Sequence, residues 1–120
     1  MWVAAGSMFM FLAVALGAFG AHALKDRLSP DLLAVYETGV RYQVYHALGL
    51  FAIAWLSDKY PNTMISAAGV SFIVGIVLFS GSLYLLSLTG VRWIGAVTPI
   101  GGLSFLIGWM LLVVFAVRHP

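Results

Sequence analysis

The sequence predicts an all-α protein, an integral membrane bundle of four transmembrane helices in two hairpins, and three observations carry that prediction. Of the 120 residues, 62% are apolar and only 8% are charged, with a mean hydropathy of +1.04. Soluble domains run nearer half apolar and a quarter charged, so there are too few polar side chains here to cover a water-facing surface. The charges are also unevenly placed: Lys25, Asp26, Arg27, Asp31, Glu37 and Arg41 all fall within residues 25–41. What remains is four charge-poor stretches, at 1–24, 42–57, 60–91 and 93–117. A soluble enzyme and a disordered tail are both excluded, and residues 1–120 read as a single membrane domain.

A helix rises 1.5 Å per residue and the hydrocarbon layer is about 30 Å thick, so a crossing needs about twenty apolar residues. Residues 3–23, 64–87 and 97–117 meet this requirement outright. The first of them carries Ala21-His22-Ala23, which imitates a secretory cleavage site. However, no charge precedes Lys25 and the apolar run exceeds that of a signal peptide, so it reads as a first span. The second crossing is harder to place, because Tyr42 to Ser57 covers only about 24 Å at the helical rise. Its helix must begin earlier. Ser29-Pro30 supplies an N-cap followed by the one helical position where a missing N–H costs nothing, and Asp31 suits the positive end of the dipole. A helix from Pro30 to about Leu56 follows, with an interfacial start and a possible bend at Gly39.

Pro61 and Asn62 stop that helix and start the third, and Thr98-Pro99 repeats the start signal before the fourth. Trp2, Trp55 and Tyr60 mark one interface, and Tyr42, Tyr45 and Trp93 the other. The first and third connections carry Lys25, Arg27, Arg41 and Arg92, against Lys59 and Arg118 on the opposite side. The positive-inside rule then puts those two connections in the cytoplasm and both termini outside.

Lipid tails are as apolar as leucine, so close contact between membrane helices relies on small residues. Gly6, Ala13, Gly17 and Gly20 share one face of the first span, as do Gly101, Ser104 and Gly108 of the fourth. The third span has small or polar stripes on two sides, Gly69/Ser80/Tyr84/Ser87 and Ala67/Ser71/Gly75/Ser82. It should therefore be the most enclosed. These stripes read first as packing, and spare ones would allow self-association. Membrane lipids are the other expected partner. Six dispersed basic residues form no phosphate-tracking stripe, which argues against nucleic acid. The absence of cysteine excludes disulfides and thiolate metal sites, no metal site is expected, and no cofactor is specified.

Polar side chains at membrane depth are costly unless partnered, so their positions are informative. His22 lies near the end of the first span and His46 near the start of the second, which places both roughly 5–8 Å below one interface by the helical rise. Ser80, Ser82, Tyr84 and Thr98 share that side. On a continuous second helix Gly39, Tyr42, Gln43 and His46 lie on one face, with Glu37 and Arg41 opposite as an i,i+4 ion pair. The candidate ligand-binding set is thus His22, Tyr42, Gln43, His46, Ser80 and Tyr84, rimmed by Glu37, Arg41 and Arg92. One reservation is built into the angles: His22 sits about 160° from the glycine stripe of its own helix.

Gly17-Ala18-Phe19-Gly20-Ala21-His22, Tyr42-Gln43-Val44-Tyr45-His46-Ala47-Leu48, Phe79-Ser80-Gly81-Ser82-Leu83-Tyr84 and Thr98-Pro99-Ile100-Gly101-Gly102 resemble, in this order, the motif blocks of a small bacterial membrane family. That family is domain of unknown function 423, with transmembrane protein 256 as its eukaryotic relative. The resemblance implies a multi-pass protein of the bacterial inner membrane, or of an organellar membrane in eukaryotes, and brings no activity with it. The residues themselves allow several roles. The polar pocket could hold a lipid or quinone-like amphiphile, or the chain could be an accessory or scaffold subunit whose polar groups satisfy one another. Alternatives are a conduit for protons or a small solute through the histidines, an intramembrane lipid enzyme with Ser80 or Ser82 as nucleophile, and a bis-histidine haem site.

Overall fold

A computed structural model describes residues 1–120, and every regular element in it is helical. Helix α1 spans Trp2–Leu24, its last turn widened to a π-helix over Gly20–Leu24. Helix α2 spans Pro30–Lys59 without interruption at Gly39. Helix α3 spans Thr63–Thr89 with a π turn at Ile76–Ser80, and α4 spans Thr98–Arg118 after a short 3-10 turn at Arg92–Ala96. By length and composition α1, α3 and the segment containing α4 are apolar enough to cross a membrane. Helix α2 is longer than any of them, but Arg41, Gln43 and His46 dilute its apolar character.

The helix ends follow local chemistry. Ser29 accepts a hydrogen bond from the Leu32 amide at 3.3 Å, with Pro30 in the first turn, and Asn62 caps α3 by accepting from the Met64 amide at 2.8 Å. Helix α3 ends at Gly90, whose φ of 71° is the left-handed geometry that glycine reaches without a Cβ clash. Thr98 behaves differently from its sequence signal. Its hydroxyl lies 2.7 Å from Ser82 Oγ and makes no cap, so it ties α4 to α3 instead of closing its own helix.

Each helix packs on the next in the chain, α1 on α2, α2 on α3 and α3 on α4. Helix α3 is the most enclosed of the three apolar helices, as its two-sided stripes predict. The glycine stripes are used within the chain: Gly6 approaches the Ala47 carbonyl, Gly20 receives the Tyr36 ring, and Gly108 receives the Phe72 ring. Gly101 makes the tightest of these contacts, because a Cβ there would sit 2.3 Å from the Phe79 amide nitrogen. Since that neighbour is backbone, only glycine allows α4 to rest on the π turn of α3.

An apolar core of Trp2, Leu50, Ile53, Ile65, Ala68, Phe72, Ile76, Phe105 and Phe115 fills the half nearest the α2–α3 connection. Trp2, expected as an interfacial anchor, is buried in this core against Gly69. Trp55 does stay exposed, with the Lys59 ammonium 4.5 Å from its ring centre. Most of the polar side chains collect in the other half.

Candidate functional site

The inward face of α2 divides into two edges, because Tyr42 and Gln43 are neighbours in sequence and about 100° apart around the helix. On the Gln43 edge α1, α2 and α3 are held together by hydrogen bonds. Tyr84 Oη donates to Gln43 Oε1 at 2.7 Å, and Gln43 Nε2 donates to the Phe9 carbonyl at 2.8 Å. Tyr36 Oη donates to the Leu16 carbonyl at 2.6 Å, and Ser80 Oγ to the Gly39 carbonyl at 2.7 Å. The Tyr36 and Tyr84 rings lie 5.2 Å apart between these bonds. Unpartnered polar groups are costly in a medium without water, and this side leaves none: the one buried side-chain polar atom lacking a partner is Ser57 Oγ, elsewhere on α2. Chemically, this edge is a lock that sets helix register.

On the Tyr42 edge the same helix faces a cleft. Helices α2 and α4 do not bring their backbones close, and aromatic side chains bridge the gap between them. The resulting cavity of about 820 Å³ is lined by Tyr42, Tyr45, His46, Phe79, Pro99, Gly102, Leu103, Phe105, Leu106 and Trp109. His46 forms its floor. The imidazole stacks on Phe105 with centroids 3.4 Å apart and planes within 8°, and Tyr42 lies within 17° of the same plane at 6.3 Å.

The hydrogen bonds of His46 assign its tautomer. Trp109 Nε1, which can only donate, points at His46 Nε2 at 3.0 Å, so Nε2 is the accepting nitrogen. Nδ1 therefore carries the proton and donates to the Tyr42 carbonyl at 2.7 Å. Both ring nitrogens are engaged within the chain. In this arrangement His46 has no free nitrogen to coordinate a metal or to act as a base.

The structure brings together Tyr42, Gln43, His46, Ser80 and Tyr84 around α2, but on the two different edges. His22 is not among them. It is exposed on the widened last turn of α1, as expected for a residue on the side away from the stripe that faces α2. His46 meets Trp109, which is eleven residues into α4, about 16 Å along that helix from its start. At the rim Glu37, Arg41 and Arg92 are all exposed. Arg41 Nη2 donates to Thr38 Oγ1 at 3.2 Å in place of the expected pair with Glu37.

Tyr36, Phe105 and Trp109 were not in the expected set. Tyr36 could have been found, being two helical turns before Gln43 and so on its face. Phe105 and Trp109 stand at i and i+4 on α4, but in an apolar helix such a pair looks like any packing stripe.

Residues 16–102 match the model of a family described as Protein of unknown function (DUF423). The chain is 50% identical over 115 residues to the UPF0382 membrane protein YwdK of Bacillus subtilis (strain 168), covering 95% of this chain and 94% of that protein. It is 46% identical over 113 residues to a UPF0382 membrane protein of Staphylococcus epidermidis, covering 94% of this chain and 92% of that one. With the UPF0382 inner membrane protein YgdD of Escherichia coli (strain K12) the identity is 42% over 108 residues, 90% of this chain and 82% of the other. No solved structure matches the chain.

Proposed function

This chain belongs to the DUF423 family, whose relatives are UPF0382 membrane proteins, and on that premise we propose that it is a four-span membrane protein whose α2–α4 cleft binds a bilayer amphiphile. Helix α2, at 30 residues, is about 45 Å long and can cross while its first turns remain in the headgroup zone. The placement of its polar groups supports this reading: Gln43 and His46 are buried with partners, while Glu37 and Arg41 stay near the end that carries the basic connection. The excess of Lys and Arg then orients the first and third connections toward the cytoplasm.

The observation that carries the binding role is the cleft itself, a large aromatic-walled cavity beside a lock in which the polar atoms are already paired. The other roles find less support. Ser80 is fully buried and bonded to Gly39, and Ser82 is bonded to Thr98, so neither is presented as a nucleophile. A conduit would need His46 to release both of its bonds. A scaffold role draws support from the lock alone and gives the cleft no task.

Gly102 provides the test. A Cβ at this position meets the Phe79 ring at 3.7 Å, an ordinary contact, so a larger side chain fits the backbone and extends into the cleft. Lipid extracted from purified protein and identified by mass spectrometry should contain an amphiphile enriched over the bulk membrane, depleted by Gly102→Leu at unchanged thermal stability. Identical lipid profiles for the two proteins would refute a ligand role for the cleft.

A further inference from the structure

We infer that the occupant of the α2–α4 cleft is a flat ring bearing carbonyl acceptors, the chemistry of a membrane quinone; this rests on the amphiphile-binding reading above and narrows it to one ligand class. The bilayer is the solvent against which any ligand of the cleft competes. A saturated acyl chain gains no hydrophobic free energy by leaving lipid for an apolar cleft, because both surroundings are equally apolar, and it loses conformational freedom on being held. Selective binding must therefore come from contacts that lipid cannot offer.

The cleft offers two such contacts. One is a pair of accessible aromatic rings, Tyr42 and Trp109, exposed to 38% and 44%, on which a flat ring can stack, with the buried His46–Phe105 stack behind them. The other is a pair of phenol hydroxyls. Tyr42 and Tyr45 line the cleft, are exposed to 38% and 54%, and their hydroxyls have no hydrogen-bond partner in the chain. An accessible phenol hydroxyl with no bond inside the chain is free to donate to a ligand, and a quinone supplies two carbonyl oxygens on a flat ring. The remaining polar groups of the wall are not available to compete, since both His46 nitrogens and the Trp109 N–H are bonded to each other or to backbone. At about 820 Å³ the cavity exceeds a single ring, and the wall formed by Leu103 and Leu106 accommodates the first part of a hydrocarbon tail. Stacking and hydrogen bonds suffice for this binding, with no electron transfer.

The experiment uses the full chain in nanodiscs of phosphatidylglycerol and phosphatidylcholine, titrated with decylubiquinone. Contact with a quinone quenches indole fluorescence, and Trp109 lines the cleft, so binding is read as saturable quenching that disappears in Trp109→Phe. Replacing both phenols, Tyr42→Phe with Tyr45→Phe, removes two hydrogen bonds while keeping the rings, and binding should weaken about tenfold. Gly102→Leu should abolish it, and His22→Ala should leave it unchanged. Saturable quenching that the double phenol replacement leaves untouched would overturn the carbonyl recognition. Absence of saturable quenching, while Gly102→Leu still depletes a co-purifying phospholipid, would overturn the quinone class and leave the amphiphile reading standing. If neither quenching nor any Gly102-dependent lipid is found, both fall.

Discussion

Two sides of one helix do opposite things in this protein. At Gln43, α2 faces α1 and α3 across hydrogen bonds that leave no polar atom free; at Tyr42, one residue earlier, it faces α4 across an aromatic cleft with two phenols unpartnered. The difference comes from how near the backbones approach. On the Gln43 side Gly39 and Gly20 let the Tyr84 and Tyr36 rings lie directly against helix backbone, which brings side chains within reach of carbonyls. On the Tyr42 side no glycine of α2 meets α4, so the gap is filled by rings and only partly closed. Polar groups in a membrane thus lock helices where backbones are close and remain for other partners where they are not.

Six substitutions probe this difference. The largest effect is expected at Gly101, where a Cβ would strike the Phe79 backbone. Gly101→Ala should force α3 and α4 apart and cost about 3 kcal/mol, near the upper end for overpacking, seen as a marked loss of thermal stability in detergent. Its neighbour Gly102→Leu should change stability little, so the adjacent pair separates a packing glycine from a cleft glycine.

Next comes Gln43→Leu, which removes the bonds to Tyr84 and to the Phe9 carbonyl. Interhelical hydrogen bonds in membranes average about 0.6 kcal/mol, so a loss of about 1–2 kcal/mol is expected. In a double-mutant cycle Gln43→Leu and Tyr84→Phe should be non-additive; additive losses would mean the bond contributes nothing. Trp109→Phe removes one hydrogen bond from His46 and should cost about 0.6 kcal/mol, with amphiphile content reduced more than stability. His22→Ala should have the smallest effect, leaving both the melting temperature and the lipid profile unchanged. A change in either would return His22 to the site.

Much of the fold was legible in the sequence because helices in lipid obey length and composition rules that act locally. The spans at 3–23, 64–87 and 97–117 fall within two residues of the observed helix ends, and Ser29-Pro30 does start α2. Gly20 and Gly101 could be read as packing positions, since small residues on one helical face point to a neighbour. The identity of that neighbour could not. His22 and His46 looked equivalent as the polar ends of adjacent helices, yet one is exposed and the other is enclosed by Phe72, Phe105 and Trp109. Periodicity within a helix does not specify which face meets which partner, and the π turn at Gly20–Leu24 alters that periodicity where His22 stands.

The order of residues along the chain was enough to establish a helical membrane protein, where its helices begin and end, and which faces are small enough for close packing. These follow from the cost of exposed backbone polar groups in lipid, which makes each helix satisfy itself within its own segment. It took the packing of the helices to show that Tyr42 and Gln43 serve different sides, that His46 is held between Tyr42 and Trp109, and that α2 and α4 leave a cleft between them. Those features depend on distances between segments far apart in the chain, and such distances arise from the mutual fit of whole helix surfaces.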